Sequence, residues 1–306
     1  MTWRRWLGWS LAVILVLVGL AGLVIGGAWW WLHPKFSRAD GIVYGRRLGH
    51  DLTFDRLMPV HPNGAGILVL ISGSWRSKRD GTQDLVVAPL LRRGYTVFAV
   101  MHISQPECSI TDIAADIQRA ARFIRHHAQE YGVDPQRFGV VGGSSGGHLS
   151  LLLATRGGPG PAEAVDPIDR ESSAVQAAAV FFPVTDLLNL GPSTENPGDG
   201  GPPKSYVKGF GPGATNMATW KVIGFDLSPI YHVTAHVPPV FIVHGGADTL
   251  VPVEQSERFA KRVREVGGTI EVVVRPGKKH GWSTMILDVR RFADWFDRWL
   301  VKPAGH

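Results

Sequence analysis

Charge and apolarity segregate along this chain from its first residues. Trp6 to Leu32 carries no charged side chain, and about 20 apolar residues suffice for a helix to cross a bilayer core. Arg4 and Arg5 precede the run, Trp29, Trp30 and Trp31 close it where indole rings favour the membrane interface, and Pro34 discourages further helix. Residues 1–35 are therefore expected to form a single-pass membrane anchor. The alternative is a cleaved signal peptide, since Gly26 and Ala28 form a small-residue cleavage site. Lys35, Arg38, Arg46 and Arg47 outnumber the cations ahead of the run, against a simple positive-inside reading, while the short basic head and long apolar stretch favour an exported domain.

Beyond the anchor the period changes. Residues 66–72 and 95–101 are short apolar runs that suit buried parallel strands. Ile113, Ile117, Ala120, Ile124 and Ala128 then recur at helical spacing, and Gly132 with Asp134-Pro135 ends the pattern. Further strands are expected at 138–142, 177–182, 240–244 and 269–274, and helices from about 149, at 253–266 and at 283–300. Pro252 suits a first helical position and Gly267 a C-terminal cap. Strands alternating with helices predict an α/β fold: a mainly parallel sheet with helices on both faces, because parallel neighbours need crossover connections. The domain is expected to span 36–306.

Residues 187–226 break this rhythm with Gly191-Pro192, Pro197-Gly198, Gly200-Gly-Pro-Pro203 and Gly209-Phe-Gly-Pro-Gly213. A long insertion of this kind is a lid over an apolar pocket, built on Tyr206, Phe210 and Trp220, or a mobile surface loop with few core contacts. Composition narrows the partners. The net charge of +6 includes Arg4, Arg5 and Lys35 with no acid among residues 1–35, leaving 29 cations against 26 acids, a net +3, for the rest. That excess is too small and scattered for nucleic acid, and Arg92–Arg93, Lys278–Lys279 and Arg290–Arg291 read as solvated faces. Cys108 is the single cysteine, so the chain has no intrachain disulfide and no cysteine metal cluster. No other short metal-ligand spacing is present, and no cofactor is expected. The oligomeric state has no sequence signature.

Chemistry concentrates in Val141-Gly-Gly-Ser-Ser-Gly-Gly-His148, between a strand and a helix, where G-x-S-x-G makes a nucleophile elbow. A glycine-rich turn without catalysis is the bland alternative. Gly142-x-Ser144-x-Gly146 and Gly143-x-Ser145-x-Gly147 both satisfy the pattern, and local spacing does not separate them. Downstream, Asp248 follows the strand at 240–244 and His280 follows the next. The chain order Ser, Asp, His is that of α/β hydrolases, not of chymotrypsin-like or subtilisin-like enzymes. His148 and His244 read as supports for the turns beside them.

Gly142-Gly-Ser-Ser-Gly-Gly-His-Leu149 resembles the GGSAGGHL elbow of α/β-hydrolase fold esterases in the feruloyl-esterase-like (BD-FAE) and hormone-sensitive-lipase-like groups. His244-Gly-Gly-Ala-Asp-Thr-Leu-Val-Pro252, His280-Gly-Trp282 and the lead-in Glu130-Tyr-Gly-Val-Asp-Pro-Gln-Arg137 are similar to the corresponding segments of those esterases. The resemblance spans most of 67–300, without the anchor or the insertion. It implies a serine esterase acting on a small-molecule carboxylic ester, with Ser144 as nucleophile, His280 as base and Asp248 orienting the histidine. Where those esterases show HGGGW, this chain has Ile71-Ser-Gly-Ser-Trp75. Backbone N–H groups of Gly73 or Ser74, with that of Ser145, are the expected oxyanion donors. The rival readings are a prolyl-oligopeptidase-like serine peptidase and a non-catalytic, membrane-tethered binding module on a hydrolase scaffold.

Overall fold

In a computed structural model of the chain, which describes residues 2–79 and 82–301, the expected alternation folds into one eight-stranded sheet. The strands are β1 (Phe36–Arg47), β2 (His50–Pro59), β3 (Gly66–Leu70), β4 (Thr96–Val100), β5 (Phe138–Gly143), β6 (Ala177–Phe181), β7 (Val240–Gly245) and β8 (Ile270–Arg275), in the order β1-β2-β4-β3-β5-β6-β7-β8. From β4 to β8 every neighbouring pair is parallel; β2 runs antiparallel to both β1 and β4. The helices are α1 (Thr2–Leu32), α2 (Thr82–Arg92), α3 (Ile110–His126), α4 (Ser145–Arg156), the single turn α5 (Pro167–Arg170), α6 (Met217–Asp226), α7 (Glu254–Glu265) and α8 (Met285–Phe296).

The pleat sends alternate residues to opposite faces, so each central strand feeds two cores. Leu68 and Leu70 of β3 face α3, α4 and α7, whereas Ile67 and Val69 face α2 and α8. The α3 stripe Ile113, Ile117, Ala120 and Ile124 is buried as its period required. Ser109 caps the helix by accepting from the Asp112 N–H. Gly132 sits at φ 65, past the helix end. Pro252 lies two residues ahead of α7 rather than within it, because Val253 is the capping residue. Gly267, at φ 78, follows the other end of α7 in the left-handed conformation expected of a terminator.

Three elements depart from expectation. The β1–β2 hairpin turns at Leu48-Gly49, both at positive φ, and not at the Asn-Gly or Asp-Gly that marks such turns in a sequence. α2 carries Pro89 in its interior, which suppresses a helical reading. The insertion at 187–226 is not a loop with few core contacts: Leu187, Phe210, Ala214 and Trp220 are buried in the core on the α3–α4 face. Its glycines and prolines form tight turns that fold the aromatics inward, and the Trp220 indole donates to the Gly200 carbonyl at 2.9 Å.

Of the three cation pairs, Lys278–Lys279 is exposed as expected, whereas the two arginine pairs are engaged rather than merely solvated. Arg93 pairs with Asp294 and Asp297, while Arg92, Arg290 and Arg291 lie against aromatic rings. The helix segment Ile14–Leu32 is long and apolar enough to cross a membrane and is not buried in the fold. The side chains of Arg4 and Arg5, and the end of the expected domain at 302–306, lie outside the described residues.

Candidate active site

One residue separates β5 from α4. Ser144 makes that corner at φ 55, ψ −121, a conformation that costs a side-chain-bearing residue about 1–3 kcal/mol. Neighbouring backbone holds it there: its N–H donates to the Phe181 carbonyl at 3.0 Å and its carbonyl accepts from the His148 N–H at 2.9 Å. A Cβ on Gly142 would fall 2.2 Å from the Gly146 carbonyl oxygen, and one on Gly146 would fall 2.7 Å from that of Leu70. Both glycines are thus required by close backbone approach. Ser145, by contrast, is the first residue of α4 and is buried.

The carboxyl ends of β7 and β8 bring the other two residues in. His280 Nε2 lies 2.9 Å from Ser144 Oγ, and His280 Nδ1 lies 2.7 Å from Asp248 Oδ2. Asp248 Oδ1 accepts from the N–H groups of Leu250 and Val251, each at 3.0 Å. His244 stands 3.5 Å from Asp248 Oδ2 and bridges Ser256 Oγ and the Val251 carbonyl, both at 2.7 Å. Burial opposes ionisation of Asp248, but the hydrogen bonds from His244, His280 and Val251 outweigh it and hold the carboxyl well below the usual carboxylate range. The Phe182 ring packs 4.4 Å from the His280 ring and limits its freedom.

The loop Ile71–Trp75 narrows the choice of oxyanion donors. Gly73 and Arg76 exchange backbone hydrogen bonds at 2.9 Å in both directions, so the Gly73 N–H is spent inside the turn. The N–H groups of Ser74 and Ser145 have no acceptor among the described residues, and Ser74 is held at φ 53. A buried polar chain ties this loop to the elbow. His102 Nδ1 contacts the Ile103 carbonyl at 2.8 Å, so it carries the proton, and His102 Nε2 receives the Ser72 hydroxyl at 2.9 Å. Ser72 Oγ then accepts the Ser145 hydroxyl at 3.1 Å, and Ser145 Oγ accepts the Trp75 N–H at 2.9 Å. With burial favouring the neutral His102 ring, each donor in this line has one acceptor, which orders the protons. The hydroxyl of Ser145, which a purely backbone role does not require, is therefore used.

Trp75 is fixed a second way. Its indole donates at 3.0 Å to His148 Nδ1, and His148 Nε2 donates at 2.6 Å to the Leu227 carbonyl. Complete burial favours the neutral ring and lowers the His148 pKa to about 4, against a smaller opposing effect of the Leu227 bond. Tyr206 and Phe210 of the insertion pack edge-on against Trp75. Beside Ser144 these residues enclose a small pocket of ≈ 40 Å³, walled by Trp75, Val184, Leu190, Tyr206, Leu250 and Val251. A separate open cleft above Ser144 and His280 is bordered by Arg76 and Lys78. His102 and Phe182 have no motif to mark them and become neighbours of the site only when the strand ends converge, whereas Tyr206 was expected over an apolar pocket and Ser72 lies in the Ile71–Trp75 segment.

Residues 58–263 match the BD-FAE family. The probable carboxylic ester hydrolase LipM of Mycobacterium tuberculosis is 30% identical over 76% of this chain and 51% of its own length. Esterase LipQ of the same organism is 29% identical over 72% of this chain and 51% of its own. The chain thus spans about half the length of these curated relatives. Among solved structures, the butyrate-bound esterase Est2 of Thermogutta terrifontis is 26% identical, with a TM-score of 0.66 over 88% of this chain and 94% of that one. The sheet order, the helices on both faces and this likeness make the fold that of an α/β hydrolase.

Proposed function

The chain belongs to the BD-FAE family, and on that premise we propose that it is a carboxylic ester hydrolase working through Ser144, His280 and Asp248. The observation that carries this reading is the continuous hydrogen-bonded line from Asp248 through His280 to Ser144, at 2.7 and 2.9 Å, ending on a serine at positive φ. His280 takes the hydroxyl proton as Ser144 Oγ attacks the ester carbonyl. Asp248, kept ionised, holds Nδ1–H in place and stabilises the imidazolium that forms. The N–H groups of Ser74 and Ser145 receive the developing oxyanion. The imidazolium returns its proton to the departing alkoxide, and the acyl group remains on Ser144. Water, deprotonated by His280, then attacks the acyl-enzyme, releasing the acid and restoring Ser144.

The small walled pocket favours short acyl or other compact groups, with one wall supplied by Leu190 and Tyr206 of the insertion at 187–226. Residues 1–35 act as an uncleaved single-pass anchor, with 36–306 as the catalytic domain on the extracytoplasmic side. A fluorophosphonate probe and an ester panel test the reading. Labelling of Ser144, loss of at least 10³-fold in kcat/KM in Ser144→Ala, and preference for short nitrophenyl esters over aminoacyl nitroanilides are expected. Preference for the nitroanilides would make the enzyme a peptidase. No probe adduct with the fold intact would make the chain a non-catalytic binding module.

A further inference from the structure

The parallel strands give the domain two distinct ends. Ser144, Asp248 and His280 sit at the carboxyl ends of β5, β7 and β8. The anchor joins at the other end. Phe36, the first residue of β1, pairs with Pro59 at the close of β2, and β2 is antiparallel to β4, so both lie beside the amino ends of β3 and β4. There, Arg92 at the end of α2 donates from Nε to the Trp31 carbonyl at 3.1 Å and from its terminal nitrogen to the Trp30 carbonyl. Its guanidinium lies 4.0 Å from the Trp30 ring, and that of Arg290 lies 5.5 Å from the Trp31 ring. Carbonyls at the C-terminal end of a helix point along its axis, so these bonds aim α1 at the end of α2 while its shaft stands clear of the fold. Lys35, Arg92 and Arg290 have no carboxylate partner among the described residues. They surround Trp29–Trp31 together with the exposed Val60.

We propose that this end of the domain rests on an anionic bilayer surface, its cations at the headgroups and its tryptophans just below, so that the active site opens away from the membrane and takes esters from the aqueous phase rather than from the bilayer holding α1. The inference rests on reading α1 as an uncleaved anchor and Ser144 as the nucleophile. Strands of five or six residues alone separate the two ends by about 17–20 Å, beyond the reach of an acyl chain lying in the bilayer.

The test uses the full chain in phosphatidylglycerol-containing vesicles, in a Cys108→Ala background, with an environment-sensitive fluorophore on Val60→Cys or on Arg76→Cys at the cleft. Headgroup nitroxide lipids, which quench on contact, should cut emission from position 60 severalfold and leave position 76 unchanged. Arg92→Glu with Arg290→Glu should reduce the quenching at position 60. The vesicle-bound enzyme should cleave a soluble short-chain ester while leaving an ester lipid of the same vesicle intact. Equal or stronger quenching at position 76 in protein that co-floats with vesicles would overturn the orientation and leave the anchor standing. Failure to co-float would remove the anchor, and this inference with it. Hydrolysis of the ester lipid at a rate comparable to the soluble ester would overturn the aqueous source of substrate.

Discussion

Two serines stand side by side at the elbow, and their surroundings give them different work. Ser144 alone has the strained backbone and the contact with His280. Ser145 places its N–H beside Ser144, the proposed nucleophile, and uses its hydroxyl to join the Ile71–Trp75 loop through Ser72 and the Trp75 N–H. Ser145→Ala should therefore fold and still label on Ser144. Its kcat should fall about 10- to 100-fold with little change in KM, less than the ~10²–10³ typical of deleting an oxyanion donor outright. Ser72→Ala breaks the same chain, so its effect should not add to that of Ser145→Ala in a double-mutant cycle. Full additivity, or loss confined to KM, would remove the loop-holding role. His148 supplies a second residue-scale prediction. Its ring is neutral in the fold down to pH of about 4, whereas an unfolded histidine protonates near 6.5. The unfolded state thus binds more protons between those values, and stability falls as pH drops through that window, by up to about 3 kcal/mol. Urea unfolding at pH 7.5 and 4.5 should show this loss, and the slope should flatten in His148→Gln.

At the scale of elements, the insertion at 187–226 is a structural wall and not an appendage. Trp220 is fully buried, its indole is hydrogen-bonded to Gly200, and Phe210 bridges it to Trp75. Trp220→Ala should cost about 3–5 kcal/mol, read as a shift in the urea midpoint. Shortening the segment should unfold the domain before it alters acyl preference. Changes at Leu190, which lines the pocket, should instead alter acyl-length ranking without a comparable loss of stability. If shortened variants remain soluble with unchanged midpoints, the segment is not part of the core. The insertion was hard to read because glycine and proline report backbone turns and say nothing about what those turns enclose. The β1–β2 hairpin stayed hidden for a related reason: Leu48 occupies a positive-φ position without the residue type that usually announces it.

For the whole molecule, removal of residues 1–35 should leave a soluble, active domain, because every strand and every proposed catalytic residue lies downstream. Sedimentation of that fragment with membranes would show that α1 is not the main tether. Local pattern was enough to determine the apolar N-terminal helix, the strand and helix alternation, the elbow glycines and the Ser, Asp, His order, because each depends on residues near one another in the chain or on a period that a short segment displays. The choice between Ser144 and Ser145 was legible only through a family resemblance. Tertiary structure alone decided that Gly73 spends its N–H on Arg76 and that His102, Ser72 and Ser145 form one proton-ordered line. It also decided that Phe182 packs on His280, that the insertion packs inward, and that α1 and the Ser144 corner lie at opposite ends of the sheet. Those outcomes depend on which strand ends meet, and hydrogen bonds between groups tens of residues apart leave no period or spacing in the chain that forms them.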